Sequence, residues 1–200
     1  MKVRILGAVV VAAVLAFGWG AVAWPVGSFY MGWAFKPMPQ PEQVASHLEP
    51  LIQEDGAYFY PPMPETKAGD AATADLVRQS WRAQTEKGPI MLLLVRQHGF
   101  DPDDITLVLR GFVLDFFTAA IVAGIMAIAC KFGVHTPDRI ALAIFLAFFA
   151  VLAGGGTMWN FFHLPDNYAL AVAIDTFVSW LLAGVACAVI IRPRQRSARA

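Results

Sequence analysis

Residues 105–130 read ITLVLRGFVLDFFTAAIVAGIMAIAC, and residues 168–191 read YALAVAIDTFVSWLLAGVACAVII. At about 1.5 Å of rise per residue, each is long enough to cross about 30 Å of hydrocarbon as one helix. Each also contains one aspartate, Asp115 in the first run and Asp175 in the second. An ionised carboxylate inside a bilayer costs about 2.5–3.5 kcal/mol on insertion scales, so it needs a partner, a water path or a proton. Two such runs decide the class of the protein, and their aspartates mark where its chemistry concentrates.

Two further apolar stretches, Ile5–Trp24 and Ile140–Met158, approach the same length. The whole chain of 200 residues is 58% hydrophobic and 15% charged, a composition that indicates an integral membrane protein. Lys2 and Arg4 precede the first span, Lys131 and Arg139 lie between the second and third, and Arg192, Arg194, Arg196 and Arg199 follow the fourth. Positive charge in short loops marks the cytoplasmic side. All three groups fall on one side if the chain crosses an even number of times, which predicts both termini in the cytoplasm. The four arginines of the tail are explained by topology, and nucleic acid is excluded as a partner.

The first segment has a second reading. Met1-Lys2-Val3-Arg4, the apolar core Ile5–Phe17 and the Ala21-Val22-Ala23 triplet resemble a secretory signal with its cleavage site. The apolar run continues through Trp19 to Trp24, and Pro25 would sit just past the cut. We therefore read residues 1–24 as a retained signal anchor.

Residues 25–104 carry eleven acidic and six basic residues up to Asp104 and form an extracytoplasmic, periplasmic insert. Pro37, Pro39 and Pro41 stiffen its entry. The run EQVASHLEPLIQ has Val44, Leu48 and Leu51 at helical spacing. Ala57–Tyr60 and Ile90–Arg96 have strand character, and Asp70–Lys87 reads as a second helix with Leu76, Val77 and Trp81 on one stripe. The predicted product is a two-stranded pairing covered by two helices, with only a modest core. Residues 105–200 are a three-helix membrane region with a basic tail. Gly154–Gly156 ends the third span's apolar run, followed by an aromatic turn, Thr157–His163, at the outer interface. The fold class is thus an all-α transmembrane bundle of four helices with a small α+β insert between helices one and two.

The order of several short features also resembles a known group. They are Trp19 and Trp24 in the first span, Asp55-Gly56-Ala57-Tyr58-Phe59-Tyr60-Pro61, Lys87-Gly88-Pro89, Asp115, Trp159-Asn160-Phe161-Phe162, and Asp175 before Trp180. In these the chain is similar to a group of uncharacterised bacterial inner-membrane proteins with one anchor, a periplasmic insert and three further helices. The resemblance implies an inner-membrane location and this architecture, and no activity.

Asp115, Asp175 and Arg110 form the candidate polar site. Both aspartates lie in the outer part of the membrane at comparable depth, so they meet if the second and fourth helices are neighbours. Two carboxylates in contact cannot both ionise cheaply. Arg110 either pairs with one of them or snorkels to the headgroups. A clasp that specifies helix packing is the bland reading, at about 0.6 kcal/mol per interhelical hydrogen bond; a proton- or cation-responsive site is the functional one. Small residues at Gly111, Ala119, Ala123 and Ala127, and at Ala183 and Cys187, favour close packing. His47, His98 and His163 are weak candidates for a metal site, with Asp101 or Asp166 completing it, but no pair has ligand spacing. Cys130 and Cys187 read as packing residues. No nucleophile elbow and no phosphate loop occurs, and no cofactor is expected. The leading expectation is a non-enzymatic accessory, assembly or envelope-interaction protein whose insert meets a protein partner, with homo-oligomerisation open. The alternative is a small proton- or ion-coupled carrier or sensor.

Overall fold

The computed structural model describes residues 2–25, 28–64 and 71–192, without the side chain of Ala72. Asp70 and the tail arginines Arg194, Arg196 and Arg199 lie outside the described residues. The chain is mostly helical and divides into two compact units, Met1–Lys36 with Asp103–Ala200, and Pro37–Pro102.

The first unit holds four helices long and apolar enough to cross a membrane: Lys2–Ala23, Ile105–Lys131, Thr136–Phe162 and Asp166–Ile190. We label them α1 (Lys2–Ala23), α5 (Ile105–Lys131), α6 and α7 (Thr136–Ala150 and Thr157–Phe162, the two ends of the third span), and α8 (Asp166–Ile190). A short helix, α2 (Phe29–Ala34), follows α1 and belongs to the same unit. Its N-cap Ser28 accepts from Met31 N–H at 3.2 Å, and its partner across the unit is α8, where Asn167 Nδ2 donates to the Trp33 carbonyl at 2.6 Å. Phe35 and Tyr168 meet edge-to-face at 5.3 Å beside that bond. This element has too few residues to show a periodic pattern, which is why sequence reading passed over it.

Helix α8 is the hub of the bundle. It packs along α1 and α6, touches α5, and also meets α2. The contacts are made by small residues: Ala8, Ala12, Ala13 and Ala16 of α1, Ala143 of α6, and Ala183, Gly184, Cys187 and Ala188 of α8 are all buried. Lipid tails are as apolar as leucine, so helices associate in membranes through close van der Waals contact rather than through the hydrophobic effect. Small side chains let backbones approach, and the closest approach is at Gly184. A Cβ there would lie 2.6 Å from the Cβ of Ala143. The stripe predicted on α5 is also inward, with Ala119 and Ala123 fully buried and Ala127 packed against the same core. Cys130 and Cys187 are buried free thiols in this core, and Cys187 Sγ lies 3.8 Å from the Ala8 carbonyl.

The third span differs from the sequence reading. The Gly154–Gly156 run does not end the helix. The chain passes through a π-helical segment, Val151–Gly156, and continues as α7 to Phe162. Stopping at the glycines would leave backbone N–H and C=O groups without partners in hydrocarbon, and wider i→i+5 bonding keeps them paired. The aromatic segment after Thr157 is therefore the last part of a helix, closed by His163 in the left-handed region at φ 52°. At the other end, α5 terminates in a Schellman motif: Gly133, at φ +82°, donates to the Cys130 carbonyl and Val134 to that of Ala129.

The second unit contains α3 (Pro41–Leu48), β1 (Gly56–Tyr60), α4 (Ala71–Lys87) and β2 (Met91–Val95). The strands pair antiparallel, with Gly56 opposite Val95 and Tyr60 opposite Met91. Helix α4 forms the connection between them. Gln97 N–H donates to Asp55 Oδ1 at 2.7 Å and closes the end of the ladder. The predicted α4 stripe of Leu76, Val77 and Trp81 is not its inward face: Leu76 and Val77 are exposed, and Trp81 is partly buried. Among the described residues of this unit only Pro61 is fully buried, as expected for so few residues of core-forming type.

Two consequences can be measured. Gly184→Ala forces α6 and α8 apart and lowers the stability of the purified protein by about 1–3 kcal/mol, read from denaturant titration in mixed micelles. Asp104, the N-cap of α5, accepts from Thr106 Oγ1 at 2.6 Å and from Thr106 N–H at 2.9 Å, and these two bonds hold its carboxyl below the ordinary aspartate value. A carboxyl depressed in the folded state stabilises it above the unfolded value and loses that contribution as pH falls. The melting-temperature difference between wild type and Asp104→Ala is therefore full at neutral pH and shrinks progressively as pH falls below about 4.

Candidate functional site: an intramembrane carboxylate pair

Asp115 and Asp175 are delivered by the packing stripes of their helices. On α5, Asp115 lies one turn before Ala119 and in line with Val122 and Met126, all buried. On α8, Asp175 lies one turn after buried Ala171. Because α5 and α8 touch, the two carboxylates fall within range of each other's charge. Among the described residues neither accepts a hydrogen bond from another side chain, and Asp175 Oδ1 is buried with no partner. The structure thus brings the aspartates into one site without joining them by a hydrogen bond.

Arg110 is placed elsewhere. It is exposed and shares the outward face of α5 with Thr106, Leu109, Val113 and Leu114. Five helical positions carry a side chain through about 140° beyond a full turn. An ion pair joins Arg78 and Asp75 at 3.6 Å on the surface of α4. Among the described residues no cation is recorded within ion-pairing distance of either carboxylate.

Two neighbours add to the site. The antiparallel register set by Ala8 against Cys187 brings Asp175 level with the Trp19–Gly20 turn of α1. Trp19 Nε1 is itself buried without an acceptor. On the α6 side, Gly184 against Ala143 and Gly155 against Val172 bring Asp175 level with the start of the π-helical segment. π-bulges recur at functional positions because they re-aim a helix face without breaking the span. A buried acceptor, a buried donor and a π segment at one depth form a polar layer inside an otherwise apolar bundle.

The histidines are not assembled. His47, on α3, directs Nδ1 at the Gln43 carbonyl at 2.7 Å; His98 is exposed after β2; His163 is exposed at the end of α7. Among the described residues no three His, Cys, Asp or Glu side chains are grouped as metal ligands.

One buried charged side chain escaped the sequence reading. Arg139, counted there as a loop charge, is 0% exposed in the first turn of α6. Its Nη1 donates to the Ile191 carbonyl, the C-cap of α8, and its Nη2 donates to Thr136 Oγ1 at 3.0 Å. A guanidinium at a helix C-terminus satisfies an orphan carbonyl and complements the negative end of the helix dipole. The signal was legible: Arg139 stands at the head of the i, i+4, i+8 row that continues through buried Ala143 and Ala147.

No family model, curated protein or solved structure matches this chain.

Arg139→Ala leaves the Ile191 carbonyl unpaired and lowers stability by about 1.5–3 kcal/mol, whereas Arg110→Ala, on the exposed face, stays within about 0.5 kcal/mol of wild type. Parallel unfolding curves in detergent separate the two arginines; equal effects would refute the division of roles.

Proposed function

We propose that this multi-pass membrane protein carries or senses a proton or a small monovalent cation at Asp115 and Asp175. The observation that supports this reading is the buried, unpartnered Asp175 carboxylate oxygen within range of a second intramembrane carboxylate, with no cation recorded within ion-pairing distance among the described residues. Two like charges in a low-dielectric bundle are relieved by a bound proton or cation, and intramembrane carboxylates of this kind serve proton and ion pathways elsewhere. The charge distribution supports cytoplasmic termini, an orientation in which the pair is nearer the outer surface. The continuous alanine stripe of α1 against α5 and α8 supports retention of α1 as an anchor, since a cleaved leader has no need to complete a bundle. A bacterial inner membrane is the compartment this architecture fits.

A second reading follows from the insert. Leu51, Leu76 and Leu94 are each exposed on a unit with almost no core of its own, which favours an accessory or assembly role in which a protein partner covers them.

Proteoliposomes decide between the two. The carboxylate reading predicts that a pH or monovalent-cation gradient is dissipated by the wild type, and that Asp115→Asn and Asp175→Asn each abolish this with membrane abundance and melting temperature retained. Parallel loss of flux and abundance would reduce the pair to a packing element. Wild-type vesicles as tight as empty ones would reject transport. Removal of residues 40–100 with loss of co-purifying proteins and an intact bundle would favour the accessory reading.

A further inference from the structure

The lipid-facing surface between the third and fourth spans contains a recess that the carboxylate pair does not use. The π-helical segment contributes Gly155 and Gly156, and α8 contributes Ala169 and Ala173. These four small residues leave a groove of about 320 Å³ with an apolar lining. Val151, Trp159 and Leu170 supply the larger side chains of its lining. From Val151 at its deep end to Trp159 at its mouth it follows about 12 Å of helix, the direction and scale of a segment of acyl chain.

At its mouth the groove opens into a second recess of about 360 Å³, lined by Asn160, His163 and Leu164. Trp159 and Asp166 line both. Trp159 Nε1 donates to Asp166 Oδ1 at 2.8 Å, which pins the carboxylate at the junction and leaves its second oxygen without a recorded partner. An apolar slot thus leads directly into a polar cup, an arrangement that matches an amphiphile lying along the helix axis.

The charge of the cup selects the headgroup. Its lining has one carboxylate and neither lysine nor arginine, so an anionic headgroup meets repulsion with no compensating cation. A primary ammonium can instead donate to the free oxygen of Asp166 in a charge-assisted hydrogen bond. Asn160 and His163 are placed to donate to an adjoining phosphate. We infer that the groove between the π-helical segment and α8 is a binding site for one bilayer phospholipid with an ammonium-bearing headgroup, its chain on Gly155, Gly156, Ala169 and Ala173 and its ammonium on Asp166. The site is independent of Asp115 and Asp175.

Native mass spectrometry of the full detergent-purified chain tests it, using phosphatidylethanolamine and phosphatidylglycerol with identical acyl chains. Wild type is expected to retain one phosphatidylethanolamine about tenfold more tightly than phosphatidylglycerol, the step that one charge-assisted hydrogen bond of about 1.4 kcal/mol supplies. Asp166→Asn is expected to bring the two within about twofold of each other. Ala169→Leu fills the slot and removes the retained lipid whatever its headgroup. Equal retention of both lipids by wild type, or an unchanged preference in Asp166→Asn, overturns the assignment. So does a folded Ala169→Leu that still retains lipid; should that variant not fold, the wild-type comparison and Asp166→Asn decide alone.

Discussion

Everything in the membrane unit depends on how closely α8 comes to α6 and α1. Gly184 faces Ala143 with no room for a methyl group, and Cys187 reaches the Ala8 backbone. Such contact exists only because the facing residues are small, and in a bilayer it replaces the hydrophobic collapse that holds a soluble core. The polar features are positioned by the same geometry. Asp175 stands on the buried stripe of α8, Asp115 on that of α5, and Arg139 at the head of the alanine row of α6. The residues that make the bundle and the residues that carry charge are successive members of the same helical rows.

That continuity explains what could be read from the sequence. The four spans were legible because hydropathy over twenty residues is a large, additive signal. The two strands and both helices of the second unit followed from turn residues and local composition. The inward faces of α5 and α8 followed from the spacing of alanine, glycine and cysteine, and they carry Asp115 and Asp175 with them. Arg110 illustrates the opposite case: proximity in sequence suggested a partnership that helical rotation does not allow. Arg139 was passed over under a topological rule, since a charge near a span end is ordinarily a loop charge, although its row with Ala143 and Ala147 was there to read. The π-helical segment was hidden because glycine reads as a breaker in water, whereas in hydrocarbon unpaired backbone keeps the chain helical. The exposed Leu76 and Val77 show that a stripe predicts burial only where another surface exists to meet it.

The two buried charge features are treated differently by the fold. Arg139 donates from Nη1 to the end of α8 and from Nη2 to its own helix, while its Nε is buried without a partner among the described residues. Asp175 is left with an oxygen that no described residue satisfies. Natural structures pair nearly all buried polar groups; Arg139 meets most of that demand through two partners near a helix end, whereas neither aspartate accepts a hydrogen bond from another side chain among the described residues.

The Arg139–Ile191 link also constrains biogenesis. Arg139 enters the translocation machinery about fifty residues before the carbonyl it binds, and during that interval α6 has a guanidinium without its acceptor. Only when the last turn of α8 has left the ribosome can the third and fourth spans lock together. The clasp between the third and fourth spans is thus among the last contacts that synthesis of this chain allows.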